Sequence, residues 1–455
     1  MKKAISREEL FEKSPVWSAI FALTIPMIIS SVVSMIYNLS DTYFVGALND
    51  SVQNAAITLT APAMTIFYGI TNLFGIGASS LMSRSMGAKD IDSVKRASAT
   101  GLYLGLIGAI VLSSITLIFN HQTLGILGTD AVTYQSTKDY MFWTVCLGSV
   151  PGIMSIMFSY LLRAEGKSMQ ASIGQVSGCI INIILDPFFI LPFGLGLGAA
   201  GAGLATFIAN VAACTYFVIL VYREKDKSYV CLNPKMITLN KHIISNILIV
   251  GFPGVIQNLL NVVNMTILNN IVAKYGADVV AGVGIANKIN QLPIQIVFGF
   301  TQGVMPLIGF NYAAKNYSRM KESIRKTYVI TISALVAILV LFATSGAPIV
   351  RLFMDNDEVV RVGSWFLRGF GISLPFMCVD FMVVGISQAF GMGKPALIFS
   401  ILRKVVFEIP LLITFSTVFG LNVVPYAQCT TEILMCIIAV CVQYRLLRGL
   451  KNDQN

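Results

Sequence analysis

The chain has 455 residues, of which 55% are hydrophobic and only 12% are charged, whereas soluble globular domains carry about 25% charged residues. This imbalance excludes an ordinary soluble enzyme, a disordered chain and a coiled coil. The 32 Lys and Arg against 22 Asp and Glu give a net charge of +10, so the positions of the basic residues decide whether nucleic acid is a candidate partner.

Apolar stretches along the chain predict an all-α integral membrane protein with twelve transmembrane helices. A spanning helix needs about 20 mostly apolar residues, and Gly, Pro or charged residues separate one stretch from the next. The predicted spans are 15–46, 55–82, 97–119, 139–162, 169–191, 199–222, 243–273, 279–309, 327–350, 362–390, 397–419 and 423–447. The preceding segment is charged and amphipathic without a small-residue cleavage site, which predicts a retained surface helix.

The basic residues fall on alternate loops. If the N-terminus is cytoplasmic, every second loop collects nearly all of the Lys and Arg residues, as the positive-inside rule requires. The exceptions are Lys138, Lys274, Lys288, Arg351, Arg361 and Arg368. The charge is therefore a topology signal, which places both termini in the cytoplasm and removes nucleic acid as a partner.

The two halves of the sequence resemble each other. The matched positions are Gly77 with Gly303, Lys89 with Lys315, Pro26 with Pro253, and Gly166–Lys167 with Gly393–Lys394. Each half has an even number of helices, so two six-helix bundles enter from the same side and are related by a pseudo-two-fold axis along the membrane normal. The predicted units are a cytoplasmic N-terminal segment 1–14, an N-lobe 15–222, a cytoplasmic linker 223–241, a C-lobe 242–447 and a cytoplasmic tail 448–455.

Five acids lie inside the predicted spans, namely Asp41, Asp186, Asp380, Glu408 and Glu432. Ionised groups at the bilayer centre are costly, which makes them candidate functional residues. Asn182 lies one turn before Asp186, and Thr206 lies on the next helix, so these residues and Asp41 can offer oxygens to one point. Oxygen-only ligation suits Na⁺ or a proton. The alternative is that each acid is neutral or caps a helix break, since Asp186 precedes Pro187.

Other residues favour transport over catalysis. Pro26 lies mid-span and predicts a kink or hinge in the first helix, and Lys288 is either a cavity cation or snorkels to the interface. The sequence contains no zinc motif, no phosphate-binding loop and no nucleophile with a base, so we expect neither a cofactor nor enzymatic activity. The G-x-G-x-x-G string at Gly196, Gly198 and Gly201 is interpreted as a turn entering a packed helix.

Several motifs resemble the multidrug and toxic compound extrusion (MATE) family, nearest its bacterial MepA-like branch. They are FEKSPV, NLSDTYFVG, GIGASSLMSRSMGAKD, LLRAEGKS and NIILDPFFI. The resemblance implies a Na⁺- or H⁺-driven antiporter that exports organic cations, in a bacterial cytoplasmic membrane. It also implies a cation site at Asp41, Asn182, Asp186 and Thr206. We expect a monomer, because one chain supplies both lobes.

Some family branches use C-lobe acids, which this chain resembles at Asp380 but not on its seventh helix, where Gln257 and Asn261 stand without an acid. With Lys288, these residues form a candidate second site. The alternative function is a flippase for a lipid-linked saccharide, or an exporter of another specific metabolite. A flippase should line its cleft with several basic residues to hold a pyrophosphate, and Lys288 is the only one predicted deep within a span.

Overall fold

A computed structural model describes residues 9–452, with side chains as far as Arg448, and every regular element among these residues is helical. The N-lobe helices are α1 (Val16–Gly46), α2 (Ser51–Gly87), α3 (Ile91–Ile118), α4 (Tyr134–Leu147 and Ser149–Ala164), α5 (Ser168–Ile190) and α6 (Ala199–Arg223). The C-lobe helices are α7 (Lys241–Val272), α8 (Ala277–Ala313), α9 (Tyr317–Arg351), α10 (Asp357–Ala389), α11 (Gly393–Ile401, Leu402–Glu408, Ile409–Thr414 and Phe415–Phe419) and α12 (Pro425–Asn452). The predictions for residues 1–8 and 453–455 lie outside the described residues.

Ten of these helices are individually long and apolar enough to cross a membrane. The two halves of α4 pass the same test together and are bent by 47°. The remaining predicted span is α11, in which α-helical and π-helical segments follow one another without a loop. The all-helical membrane architecture expected from the apolar stretches is confirmed, although two of the spans are not single regular helices.

The internal repeat is visible in the backbone. Lys89 and Lys315 follow α2 and α8, and both have positive φ angles, of 61° and 57°. Few residues other than glycine adopt this conformation, so the shared turn supports the pairing of these two lysines. Gly166 and Gly391 likewise follow α4 and α10 with φ angles of 84° and 79°. The pairing of Gly166 with Gly393 is therefore wrong by two residues.

The two lobes contact each other through α1 with α8 and through α2 with α7. Glycines allow the close approach: a Cβ atom on Gly251 would lie 1.8 Å from the Leu73 carbonyl oxygen, and one on Gly77 would lie 2.0 Å from that of Ile247. Residues 299–311 of α8 are all buried at the same end of the molecule, whereas α1 has no buried residue between 31 and 44. The interlobe cleft is therefore closed at the end where α1 begins.

The segment before α1 bridges the lobes at this closed end. Phe11 is buried and stacks on Phe310 of α8 at 5.1 Å between ring centroids, and the Arg319 Nε donates to the Phe11 carbonyl at 2.7 Å. On the other side, Leu10 and Phe11 pack against Gly166 of the N-lobe. Glu9 and Lys13 of this short helix are exposed, so its charged side lies at the surface while Leu10 and Phe11 pack between the lobes.

The glycine-rich string leads into α6 as a turn. Gly196 and Gly198 have positive φ angles of 62° and 59°, and α6 begins at Ala199. A Cβ atom on Gly201 would lie 2.4 Å from the Phe189 carbonyl oxygen, so this glycine is needed for close packing against α5. This geometry confirms the interpretation of the string as a turn that enters a closely packed helix.

Candidate ion site and central cavity

The N-lobe site brings together the four residues that the sequence singled out. Asn182 and Asp186 lie one turn apart on α5, and both are buried, Asp186 completely. With its amide nitrogen facing the acids, Asn182 donates to Asp41 Oδ1 and to Asp186 Oδ2, each at 3.1 Å. The Asn182 oxygen then accepts a hydrogen bond from the Thr206 backbone N–H at 3.1 Å. Helices α1, α5 and α6 therefore converge on one polar point.

No basic side chain among the described residues compensates these two acids. Besides Asn182, the side chains that interact with the Asp41 carboxyl through charge or hydrogen bonds are Asp186 and Tyr37, and the side chain that interacts with Asp186 in this way is Asp41. Tyr37, one turn before Asp41, lies 3.3 Å from the Thr206 hydroxyl. Helix α5 runs through Asp186 and Pro187 to Ile190, so Asp186 does not cap a break there. Two carboxyl groups this close cannot both carry an uncompensated charge, so the pair needs a proton or a cation.

A cavity of about 640 Å³ lies between the lobes. Both lobes line it, and the C-lobe candidates Gln257 and Asn261 are among the lining residues. The aromatic side chains of Tyr68, Phe298 and Phe381 also line it, and faces of this kind can hold organic cations. The N-lobe site lies beside this cavity: Ser34, which lines it, is two helical turns before Asp41 on α1. Lys288 is exposed and does not line the cavity.

The C-lobe acids form a buried cluster with two basic residues. The guanidinium of Arg403 lies 2.6 Å from Glu432 Oε1 and 3.6 Å from Asp380 Oδ2. Lys404 Nζ lies 2.7 Å from Glu408, which also accepts a hydrogen bond from Asn264 at 2.8 Å. All five charged side chains are buried. Asp380 therefore lies with Arg403 rather than with Lys288.

Sequence reasoning missed the burial of three basic residues. Arg163, Arg403 and Lys404 were assigned to cytoplasmic loops, but all three are at least nine-tenths buried within helices. Lys288 is thus not the only basic residue deep within a span, and that expectation is wrong. The burial of two of them could have been predicted from the sequence, because Arg403 and Lys404 fall within the predicted span 397–419 and lie near Glu408.

These features define a multi-pass membrane transporter with two repeated lobes around a central cavity. The family model named MatE matches residues 26–188 and 253–414. The multidrug export protein MepA of Staphylococcus aureus is 35% identical over 97% of both chains, and that of Staphylococcus saprophyticus is 33% identical over 98% of this chain and 97% of the relative. The chain belongs to the MATE family.

The solved structures agree with this fold. An outward-facing structure of a multidrug resistance MATE family transporter of the MOP superfamily superimposes with a TM-score of 0.92. The alignment covers 99% of each chain at 23% sequence identity. The similarity therefore extends over both lobes and the contacts between them.

Proposed function

We propose that this protein is a secondary antiporter that exports amphipathic organic cations in exchange for Na⁺ or H⁺. The observation that carries the proposal is the contact between Asp41 and Asp186 at a buried point without a basic partner among the described residues. Such a pair binds a proton or a small hard cation. Asn182 bridges the two carboxylates, and the Thr206 hydroxyl lies beside Tyr37 of the same group. The relatives named as multidrug export proteins support the substrate class.

In this proposal, α1 couples the ion site to the cavity. Asp41 and Ser34 lie on the same helix, and Ser34 faces the cavity. Pro26 lies nearer the start of α1 than Ser34 does, next to the contact of Thr24 with Gly303 at the closed end. Binding of an ion at Asp41 shifts the balance between two shapes of α1, with Pro26 as the hinge. If both termini lie in the cytoplasm, the closed end of the cleft faces the cytoplasm and the cavity opens outward.

The contribution of the membrane potential depends on the net charge moved in each cycle. Moving one elementary charge through 100 mV releases about 2.3 kcal/mol. At about 1.4 kcal/mol per factor of ten, this supports a substrate gradient somewhat above tenfold. This figure applies to each net charge moved. A one-for-one exchange with a monovalent cation moves no net charge, and the concentration gradient of the coupled ion then drives export.

The test is efflux of a fluorescent organic cation from proteoliposomes under separately imposed Na⁺ and pH gradients. Wild type is compared with Asp41→Asn and Asp186→Asn, and with Asp130→Asn, which alters an exposed acid in the loop before α4. We expect one gradient to drive efflux in wild type and Asp130→Asn, and neither gradient to drive it in the other two variants. A folded wild-type protein that ignores both gradients would contradict the proposal.

The pH dependence of transport tests the hinge separately. If Pro26→Ala transports at the wild-type rate at every pH, α1 bending at this residue plays no part in coupling. We expect instead a variant that still binds the dye but loses gradient-driven efflux.

A flippase for a lipid-linked pyrophosphate is the weaker candidate. Its cleft should contain several basic groups, whereas the charged residue that lines this cavity, among the described residues, is Arg163 alone. Arg403 and Lys404 line a small adjoining pocket that shares Gln257 with the cavity, and both already form ion pairs with carboxylates.

A further inference from the structure

Arg163 is a buried cation at the closed end of a cavity that contains no acid among its described lining residues. Its side chain is 8% exposed, and the guanidinium Nη2 donates to the Ser30 hydroxyl at 3.2 Å. Its Nε has no hydrogen-bond partner. A guanidinium has five N–H donors in a planar fork, so this contact leaves most of its capacity unused. Burying an uncompensated charge lowers the free energy of unfolding unless a bound ligand offsets this loss.

A second polar group in the same place is also unpartnered. Ser159 lies one turn before Arg163 on α4, lines the same cavity and is fully buried, yet its hydroxyl makes no hydrogen bond. Ser30 holds the guanidinium in place: its hydroxyl accepts from Arg163 and donates to the Met27 carbonyl at 2.9 Å. The Ser159 hydroxyl and the unused N–H groups of Arg163 are therefore the donors that match the two oxygens of a carboxylate.

The internal repeat shows that the end of α4 does not need a cation at the position of Arg163 in order to fold. Since Gly166 and Gly391 share the same positive-φ turn, the residue three places before each turn is the matching pair, Arg163 in α4 and Gln388 in α10. Gln388 is buried, lines the same cavity and forms a hydrogen bond with Gln302 at 3.5 Å. The C-lobe thus builds the same turn with a neutral side chain, so the N-lobe charge has a different role.

We infer that Arg163 and Ser159 form a subsite for the carboxylate group of amphipathic substrates, with Ser30 positioning the guanidinium. The cavity then accepts zwitterionic molecules: the carboxylate lies at the closed end against Arg163, while the aromatic and cationic parts face Tyr68, Phe298 and Phe381. This inference deepens the proposed function, because it treats the cavity as the substrate site and names the chemical class that it prefers.

The test is equilibrium binding of two matched dyes to the full-length protein in lipid nanodiscs, with no ion gradient. The probes are a rhodamine with a free carboxylate and its methyl ester, which share the same cationic ring system. Binding is followed by fluorescence polarisation, and the signal of empty nanodiscs is subtracted. The variants are Arg163→Gln, which copies the residue of the matching C-lobe position, and Arg163→Lys, which keeps the charge.

We expect Arg163→Gln to weaken binding of the carboxylate dye by about tenfold or more, the loss typical of a charge-assisted hydrogen bond, and to change ester binding less than about threefold. Arg163→Lys should recover part of the carboxylate affinity. Arg361→Gln removes a positive charge that is exposed, outside the cavity and paired with Glu358, and should leave both affinities unchanged. Thermal unfolding of each variant in the same nanodiscs verifies that it is folded.

Three results would overturn the subsite: wild type that does not bind the carboxylate dye, equal weakening of both dyes in Arg163→Gln, or no weakening of either. Failure of the proposed antiport is a different result, because dye binding could remain intact while neither gradient drives efflux. The binding measurement therefore judges the subsite, and the efflux measurement judges the coupling.

Discussion

In the N-lobe, Asp41 and Asp186 meet with an amide and a hydroxyl around them and no basic partner among the described residues. In the C-lobe, Asp380, Glu408 and Glu432 meet Arg403 and Lys404 at ion-pair distances. The repeated fold therefore holds two acidic clusters that differ in their basic partners. In the C-lobe, two basic residues pair with three acids, which leaves one acid in excess, whereas the N-lobe pair has no basic partner among the described residues. We interpret the C-lobe cluster as a structural network and the N-lobe pair as the site for a mobile ion.

The largest expected effect comes from the C-lobe network. Arg403→Met removes the group that contacts Glu432 and Asp380 and leaves their charges buried. Breaking a buried ion pair from one side typically costs about 3–5 kcal/mol, so we expect a large fall in the thermal unfolding temperature in detergent. The control is Arg361→Gln, which removes an exposed charge.

An Arg403→Met variant as stable as wild type would show that the C-lobe acids do not need this guanidinium. They would then be free to bind an external ion, and the distinction between the two lobes would disappear.

The N-lobe pair should respond in the opposite direction. Asp186→Asn removes one of two mutually repelling acids, so we expect the free energy of unfolding to stay unchanged or to rise by about 1 kcal/mol, as when buried charges are replaced by neutral groups. Gradient-driven efflux should be lost at the same time. A marked loss of stability would indicate that Asp186 is structural in the way that Glu432 is.

The closed end of the cleft offers a test of the interlobe contacts. Gly251→Ala places a methyl group against the Leu73 carbonyl oxygen, where the ideal distance would be 1.8 Å. Overpacking of this kind costs about 1–3 kcal/mol, and separation of the lobes at this end relieves it. We expect increased labelling of cysteines introduced along α2 and α7 at this end.

Gly284 on α8 is the matched control, since a Cβ atom there meets nothing within 4 Å. Gly284→Ala should leave labelling unchanged. If both variants label alike, the Gly251 contact does not hold the closed end together.

The smallest effect concerns the caps of α3 and α9, which follow the paired lysines. Asp90 accepts a hydrogen bond from the Ser93 N–H at 3.0 Å, and Asn316 does the same for Arg319 at 3.2 Å. Hydrogen bonds from the Ser93 side chain and backbone lower the pKa of Asp90 below its ordinary value of 3.8. The stabilisation from its charge is therefore present above this value and is lost as pH falls through the lower folded pKa.

Asp90→Asn gives the N-lobe cap the same residue type as its C-lobe counterpart, Asn316. The effect should be small because solvent screens the exposed carboxylate of Asp90. We expect a loss of a few tenths of a kcal/mol at neutral pH, which vanishes once the pH falls below the lowered pKa of Asp90 in the folded protein. Thermal unfolding of both proteins across this range measures the difference. A difference that persists in acid would mean that charge is not its source.

The architecture could be predicted from the sequence because lipid imposes strong local rules. Backbone groups in the bilayer core need internal partners, so each long apolar stretch had to be helical, and charge alternation ordered the loops. The proximity of the polar residues at the candidate ion site could be predicted for a similar reason. Asn182 and Asp186 are one turn apart on a helix, and acids in apolar spans are too costly to be incidental.

Long-range contacts decided the remaining features. The sequence did not reveal that Arg403 contacts Glu432, which is 29 residues away, or that Arg163 contacts Ser30, which is 133 residues away. It also did not reveal that Phe11 lies between the lobes. Helix periodicity determines which residues share a face, but only the packing of helices determines which faces meet. From the sequence, a basic residue near a helix end is assigned to a solvent-exposed loop. The tertiary structure determines whether its side chain contacts water, an acid or a cavity.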